Sequence, residues 1–265
     1  MGRIICKSAR EIELMQEAGR IVADTLHLLA QKVQPGVSTL ELDRLAFEHM
    51  RRAGAYPSFK GYRGYPASLC ASINSEVVHG IPAADRRLQD GDIVSIDLGA
   101  RWKGYHADAA LTVPVGTVLE STRRLLRVTE EALWAGIDQA RFGGKLQDIG
   151  RAIQEHVERH GYSVVRQMVG HGVGRRLHEE PQIPNYVAPD QPNPALREGM
   201  TLAIEPMVNA GGPEVEILPD NWTVVTQDGS LSAHYEHTVA ITKGGPLILT
   251  PWRSMFVDRL PRLVF

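Results

Sequence analysis

One helical pattern occurs twice in this chain, and that duplication restricts the fold more than any other feature. PGVSTLELDRLAFEHMRRAGAYP, residues 35–57, aligns without gaps on FGGKLQDIGRAIQEHVERHGYSV, residues 142–164. Gly36 falls on Gly143, Glu48 on Glu155, His49 on His156, Arg52 on Arg159 and Gly54 on Gly161. Leu42, Ala46 and Met50 fall on Ile149, Ile153 and Val157, so both copies carry the same apolar stripe at helical spacing. Two copies are too few for a solenoid. They predict an α+β fold of two halves about a pseudo-two-fold, roughly residues 1–116 and 117–250. These halves form a single domain over 1–265, with a short C-terminal tail. A duplicated fold tends to place its site where the halves meet.

Boundary signals delimit four helices. Ser8 and Glu11 form a capping box for a helix running to about Val33, where Pro35-Gly36 breaks it. Ser38 or Thr39 caps the second, and Gly54 ends it. Leu119–Ala140 and Lys145–His160 read as the third and fourth, separated by Gly143-Gly144 and closed by Gly161. Beyond Gly161 come short β-branched segments divided by Pro, Gly, Asn or Asp, which read as strands. Pro181, Pro184, Pro189, Pro192 and Pro194 mark a long loop. A tail beginning near Trp252 and ending Leu263-Val264-Phe265 is apolar enough to dock.

Composition narrows the class of function. With 265 residues, 43% hydrophobic and 23% charged, the chain can bury a sizeable core. A net charge of −2 argues against a dedicated binder of nucleic acid or anionic membranes. Two cysteines, Cys6 and Cys70, give no disulfide framework and fit a reducing compartment. No signal peptide and no run of about 20 apolar residues is present, so a cytoplasmic protein is expected.

The chemistry centres on a hairpin, IVSIDLGARWKGYHADAALTV, residues 93–113. Each strand of it carries an aspartate, Asp97 or Asp108, where a core residue would stand. Two buried carboxylates side by side repel unless basic residues or a cation neutralise them. Three further residues break apolar strand patterns: His171 in VGHGVG, Glu205 in LAIEPMV and Glu236 in AHYEHTVAI. Pro206 demotes the strand behind Glu205 to an edge or a bulge. Four converging negative charges call for roughly two divalent cations, and mixed oxygen and nitrogen donors suit Mn, Fe, Co or Zn. His79, in VVHGIP, reads by itself as a satisfied core histidine. Other motifs lead nowhere. GHGVG lacks the βαβ setting of a dinucleotide site, and Gln182 stands where the zinc motif HExxH needs its second histidine.

The stretches GYRGYPASLCASIN, VVHGIP, DGDIVSIDLGA with Asp108, GHGVGRRLHEEP, GMTLAIEPMVNAGG and SLSAHYEHTVAIT, in this order, resemble the type I methionine aminopeptidases of the pita-bread fold. That fold has antiparallel sheet with helices on its outer face. The resemblance implies that Asp97, Asp108, His171, Glu205 and Glu236 ligate two divalent metal ions. It gives His79 and His178 contact with substrate and makes Glu205 a proton shuttle as well as a ligand. It lines a methionine pocket with Tyr62, Tyr65, Cys70, His79 and Trp222, and sets Phe59 and Leu177 in the same region. Asn74 and Ser232 match positions that hold a monovalent cation in some relatives. The implied activity is removal of the initiator methionine from peptides and nascent chains with a small second residue, by a monomer, with the ribosome as an open contact. Two rivals are an X-Pro peptidase of the same fold and a pita-bread binding module without catalysis. The first usually carries an extra N-terminal domain, and the second predicts broken ligand motifs. The type I reading over type II rests on the short spacing between His171 and Glu236.

Overall fold

The structure is a computed structural model that describes residues 2–253 and 256. The first half opens with two helices, α1 (Ala9–Ala30) and α2 (Thr39–Arg52). Both begin on complete capping boxes: Ser8 with Glu11, as expected, and Ser38 with Glu41, which makes Ser38 and not Thr39 the cap of α2. Six strands and two more helices follow: β1 (Tyr56–Pro57), β2 (Cys70–Ile73), β3 (Glu76–Val78), β4 (Ile93–Trp102), β5 (Tyr105–Pro114), α3 (Glu120–Gln139), α4 (Leu146–Arg159) and β6 (Ser163–Val164). The remainder is strand and loop. It comprises β7 (Gly170–Gly172), β8 (Glu179–Ile183), β9 (Thr201–Ile204), β10 (Met207–Asn209), β11 (Val215–Ile217) and β12 (Val224–Thr226). It ends with β13 (Ser232–His234), β14 (His237–Thr242) and β15 (Gly245–Ile248).

The strands form four antiparallel ladders, and two of them build the site. In one, β4 pairs β1, β2 and β5; in another the order is β15-β14-β9-β7-β8. Helices cover these ladders in the same way in both halves. α1 packs on β4, β5 and α2, whereas α3 packs on α4, β9, β10 and β13. Continuous apolar packing joins the halves, from Ile21, Leu26 and Leu42 through Ile96 and Leu125 to Ile153, Leu202 and Val239. Gly19 marks how closely α1 approaches the sheet layer, since a Cβ there would lie 1.9 Å from the Leu249 carbonyl oxygen. Helices thus lie outside antiparallel sheet, the arrangement that the resemblance implies.

The expected proline-rich loop needs correction, and one strand was not foreseen. Pro181 belongs to β8, the edge strand of its ladder, whose partner is β7, so the proline-rich loop begins only at Pro184. The Glu180–Pro181 peptide is cis. β15 has no strand signal in Gly245-Pro246-Leu247-Ile248 and exists because β14 offers it an edge. The tail expectation holds as far as Trp252, which is buried, donates its indole N–H to the Glu236 carbonyl at 2.8 Å and stacks on His237. Leu263, Val264 and Phe265 lie outside the described residues.

Candidate metal centre and pocket

Strand register assembles the donors. Across β4 and β5, Asp97 faces Ala110 and Gly99 faces Asp108. The two aspartates are therefore diagonal neighbours on one face, because side chains alternate with period two. In the second ladder His171 pairs Ala203, and Ile204 pairs His237. The next residue on each strand is a glutamate, so Glu205 and Glu236 leave that ladder at the same level. Two links then bring these ladders together, and a third ties β5 to β13 of a neighbouring ladder. Glu236 N–H donates to the Ala110 carbonyl at 2.9 Å. Asp108 N–H donates to Thr238 Oγ1 at 3.1 Å, and that hydroxyl donates to the Asp108 carbonyl at 2.8 Å. His234 N–H donates to Thr112 Oγ1 at 2.9 Å. The site thus lies at the meeting of the halves.

The donors point into one another without closing ordinary hydrogen bonds. His171 Nε2 is 3.6 Å from Asp108 Oδ2 and 3.6 Å from Glu205 Oε1. Donor atoms of Asp108, His171 and Glu236 all lie within 4.8 Å of one another. Asp97 Oδ1 and Glu236 Oε1 are buried with no hydrogen-bond partner. Burial raises the pKa of all four carboxyls, Asp108 to about 6, and mutual repulsion adds to the rise in Asp97, Glu205 and Glu236. His171 is pushed the other way, to about 4, by burial, so its close contacts are not ion pairs. Its Nδ1 lies 2.8 Å from the Gly172 carbonyl, which can only accept, so Nδ1 carries the proton and Nε2 a lone pair. Buried anions that lack partners, set around a neutral imidazole with its lone pair turned inward, are a donor set for divalent cations.

A cavity of about 510 Å³ opens over these donors. Every residue expected from the sequence to touch substrate borders it: Phe59, Tyr62, Tyr65, Cys70, His79, Leu177, His178 and Trp222. Cys70 sits directly across β4 from Asp97, which places thiol and carboxylate in adjoining positions. Burial holds the Cys70 thiol well above its usual range, so it acts as an apolar wall and not as a nucleophile. Tyr65 is anchored by its hydroxyl, 3.1 Å from the carbonyls of Leu69 and Gly80, and its ring meets Trp222 edge-on. His79 is half-buried at a φ of 63°, a backbone conformation uncommon for histidine, and its ring also meets Trp222 edge-on. His178 stands at the open rim with its Nδ1 2.8 Å from the Tyr62 hydroxyl. Burial of the inner side of its ring and the neighbouring His171 hold it neutral, near 4.

Among the cavity residues that the sequence reading did not single out, one stands beside the metal-ligand candidates. His234 is buried, its Nε2 has no hydrogen-bond partner, and that atom is 3.9 Å from Glu205 Oε2. Its signal was its place two residues before Glu236, on the same face of an extended segment. Asn74 and Ser232 do come together, through a 2.9 Å bond from Ser232 N–H to the Asn74 carbonyl.

These features define a metal-binding peptidase site in a pita-bread fold. Residues 13–243 match the metallopeptidase family M24. A methionine aminopeptidase of Bacillus subtilis is 55% identical over 247 residues, covering 93% of this chain and 99% of that one. The crystal structure of a methionine aminopeptidase from Thermotoga maritima superposes with a TM-score of 0.91 at 46% identity, over 94% of this chain and 99% of the other. A prolidase from Pyrococcus furiosus superposes with 0.76 at 26% identity, over 94% of this chain and 66% of its own. The chain belongs to metallopeptidase family M24, on its methionine aminopeptidase branch. Among the described residues no helix is long and apolar enough to cross a membrane.

Proposed function

We propose that this protein is a type I, dinuclear-metal methionyl aminopeptidase that removes the initiator methionine from peptides and nascent chains whose second residue is small. One observation carries the reading: the unpartnered carboxylates and the neutral His171 share a cavity with a thiol- and aromatic-walled pocket. Asp97, Asp108, His171, Glu205 and Glu236 would hold two ions of Mn, Fe, Co or Zn. Bound there, divalent ions supply Lewis acidity, polarising the scissile carbonyl and lowering the pKa of adjacent water.

The protein's own groups do the rest. Gly172 fixes the tautomer of His171 through its carbonyl. Tyr65, Cys70 and Trp222 offer an apolar, polarisable surface suited to an unbranched thioether. His178 keeps Nε2 as its free nitrogen, and with Tyr62 donating to Nδ1 that atom is an N–H donor for the developing oxyanion. Glu205, a ligand that also faces the cavity, carries a proton to the leaving amine. His79 hydrogen-bonds the scissile amide. A monovalent cation beside Asn74 and Ser232, a monomeric state and a cytoplasmic location belong to the same reading.

The test is methionine release from Met-Ala-Ser, Met-Leu-Ser and an X-Pro dipeptide, on chelated protein and after restoring each metal. Metal-dependent cleavage of Met-Ala-Ser alone is expected. Preference for the X-Pro bond would make the protein a prolidase, and no cleavage by protein that binds two ions would make it a binding module.

A further inference from the structure

Outside the cavity a second cluster of metal-ligating side chains lies on the outer helices. Glu131 of α3, His156 of α4 and His160, the residue that caps α4, are all half-buried. Each offers a donor atom within 4.8 Å of the other two. His156 Nε2 is 3.2 Å from Glu131 Oε2, and the two imidazole rings lie 4.6 Å apart, tilted by 39°. His160 Nδ1 is 2.7 Å from the His156 carbonyl, so Nδ1 is the protonated nitrogen and Nε2 carries the lone pair. Burial and the neighbouring His160 hold His156 below the ordinary histidine range.

We infer that Glu131, His156 and His160 form a separate metal site outside the cavity, for one divalent ion of the imidazole-preferring class represented by Zn2+. The chemistry matches on three counts. Histidines at i and i+4 share a helix face and ligate one ion. A carboxylate from the adjacent helix supplies the third donor, and water completes four-coordination. Tetrahedral ligation with bonds of about 2.0–2.1 Å sets donors about 3.4 Å apart. The Glu131–His156 separation of 3.2 Å already meets this, and half-exposed side chains can close the remaining gap. The ion replaces the proton that His156 shares with Glu131, and so ties α3 to α4.

The duplication supplies a contrast. In the register that pairs His49 with His156, Ala53 stands in the place of His160. His49 there meets a hydroxyl, Thr25 Oγ1, at 2.9 Å. The first half therefore keeps the histidine as a helix–helix hydrogen bond, and only the second half adds the ligands a metal needs. A hydrogen bond alone would need only Glu131 and His156; His160 spends Nδ1 on the His156 carbonyl at the end of α4 and keeps Nε2 for a ligand.

The test counts bound metal. Full-length protein freed of metal is dialysed against Zn2+ at fixed free concentration, and zinc per chain is measured in wild type, His156→Ala, His160→Ala and Glu131→Gln. Every chain keeps the cavity ligands, so ions bound there cancel in the comparison. The expected result is one fewer zinc ion per chain in each variant, a smaller zinc-induced rise in Tm, and unchanged cleavage of Met-Ala-Ser. Equal zinc stoichiometry in wild type and in any folded variant would overturn the assignment. Should His156→Ala fail to fold, His160→Ala and Glu131→Gln, which alter half-exposed positions, decide alone.

Discussion

Lys7 Nζ lies 2.7 Å from Glu179 Oε2, with the two side chains only 3% and 2% exposed. Glu179 follows His178 in sequence, and its other oxygen accepts the Arg176 N–H at 3.0 Å. Burial alone would raise its carboxyl, yet the hydrogen bond from Lys7 helps bring it below the usual range. The pair therefore pins the N-terminal segment beneath the loop that presents His178. Removing one partner of a buried pair leaves an uncompensated charge, at a cost of about 3–5 kcal/mol. Lys7→Met should destabilise by about that much in urea denaturation, and Lys7→Met with Glu179→Gln should recover most of the loss. Equal loss in single and double variants would assign the effect to packing instead.

Tyr62 and His178 offer a more direct kinetic test. If the Tyr62 hydroxyl fixes which nitrogen of His178 donates, its removal should act on the transition state more than on substrate binding. Tyr62→Phe is expected to lower kcat by about tenfold with little change in KM, since positioned hydrogen-bond donors typically contribute one to a few kcal/mol. His178→Ala should show the same split with a larger drop. A rise in KM alone would make both residues binding groups.

Much of this geometry is legible in the sequence. Alternation with period two put Asp97 and Asp108 on the inner face of a hairpin, and the register confirms a diagonal pair. Pro206 does not make its strand an edge or a bulge, as its sequence suggested: it interrupts the run between β9, ending at Ile204, and β10, starting at Met207, each flanked by two strands in a ladder of its own. Other features depended on neighbours that sequence does not announce. His234 drew no reading from the sequence because its significance comes from Glu205, distant in sequence and 3.9 Å away in space. β15 forms on an edge left open by β14, and Pro181 is tolerated in β8, against the usual reading of proline as a loop residue. Local pattern reports what faces the core. Only tertiary register reports what faces across it.

Glu11 allows a stability test remote from the site. It closes the capping box of α1 and reaches across to Tyr105, whose hydroxyl donates to Oε1 at 2.7 Å. The backbone hydrogen bond at Ser8, followed by Tyr105, lowers its pKa from 4.5 to about 2. A depressed carboxylate stabilises the fold above its unfolded pKa, and the benefit fades as pH falls through the folded value. Glu11→Gln should therefore cost about 1 kcal/mol at pH 7, the usual worth of a helix cap. The difference should shrink between pH 4.5 and about 2. Urea denaturation of both chains at several pH values checks this, and a pH-independent difference would exclude the charge as its source.

The four cavity carboxyls predict the opposite pH response in chelated protein. Asp108 rises from 3.8 to about 6, and Asp97, Glu205 and Glu236 also rise, each chiefly through burial. A raised folded pKa means that the native state holds protons the unfolded chain has already lost. Stability is then greatest below the unfolded value and declines as pH climbs through the folded one. Metal-free protein should lose Tm as pH rises from about 4 past 6, the window set by Asp108. Divalent metal should reverse the trend, because cations stabilise the ionised carboxylates and bind only the folded arrangement. Asp97→Asn separates function from stability here. It removes one of the repelling groups, so the chelated variant should melt at or above the wild-type temperature at pH 7.5, while turnover with restored metal falls to background. A variant that melts well below wild type without metal would mean that Asp97 is held by a partner of its own and not by ions.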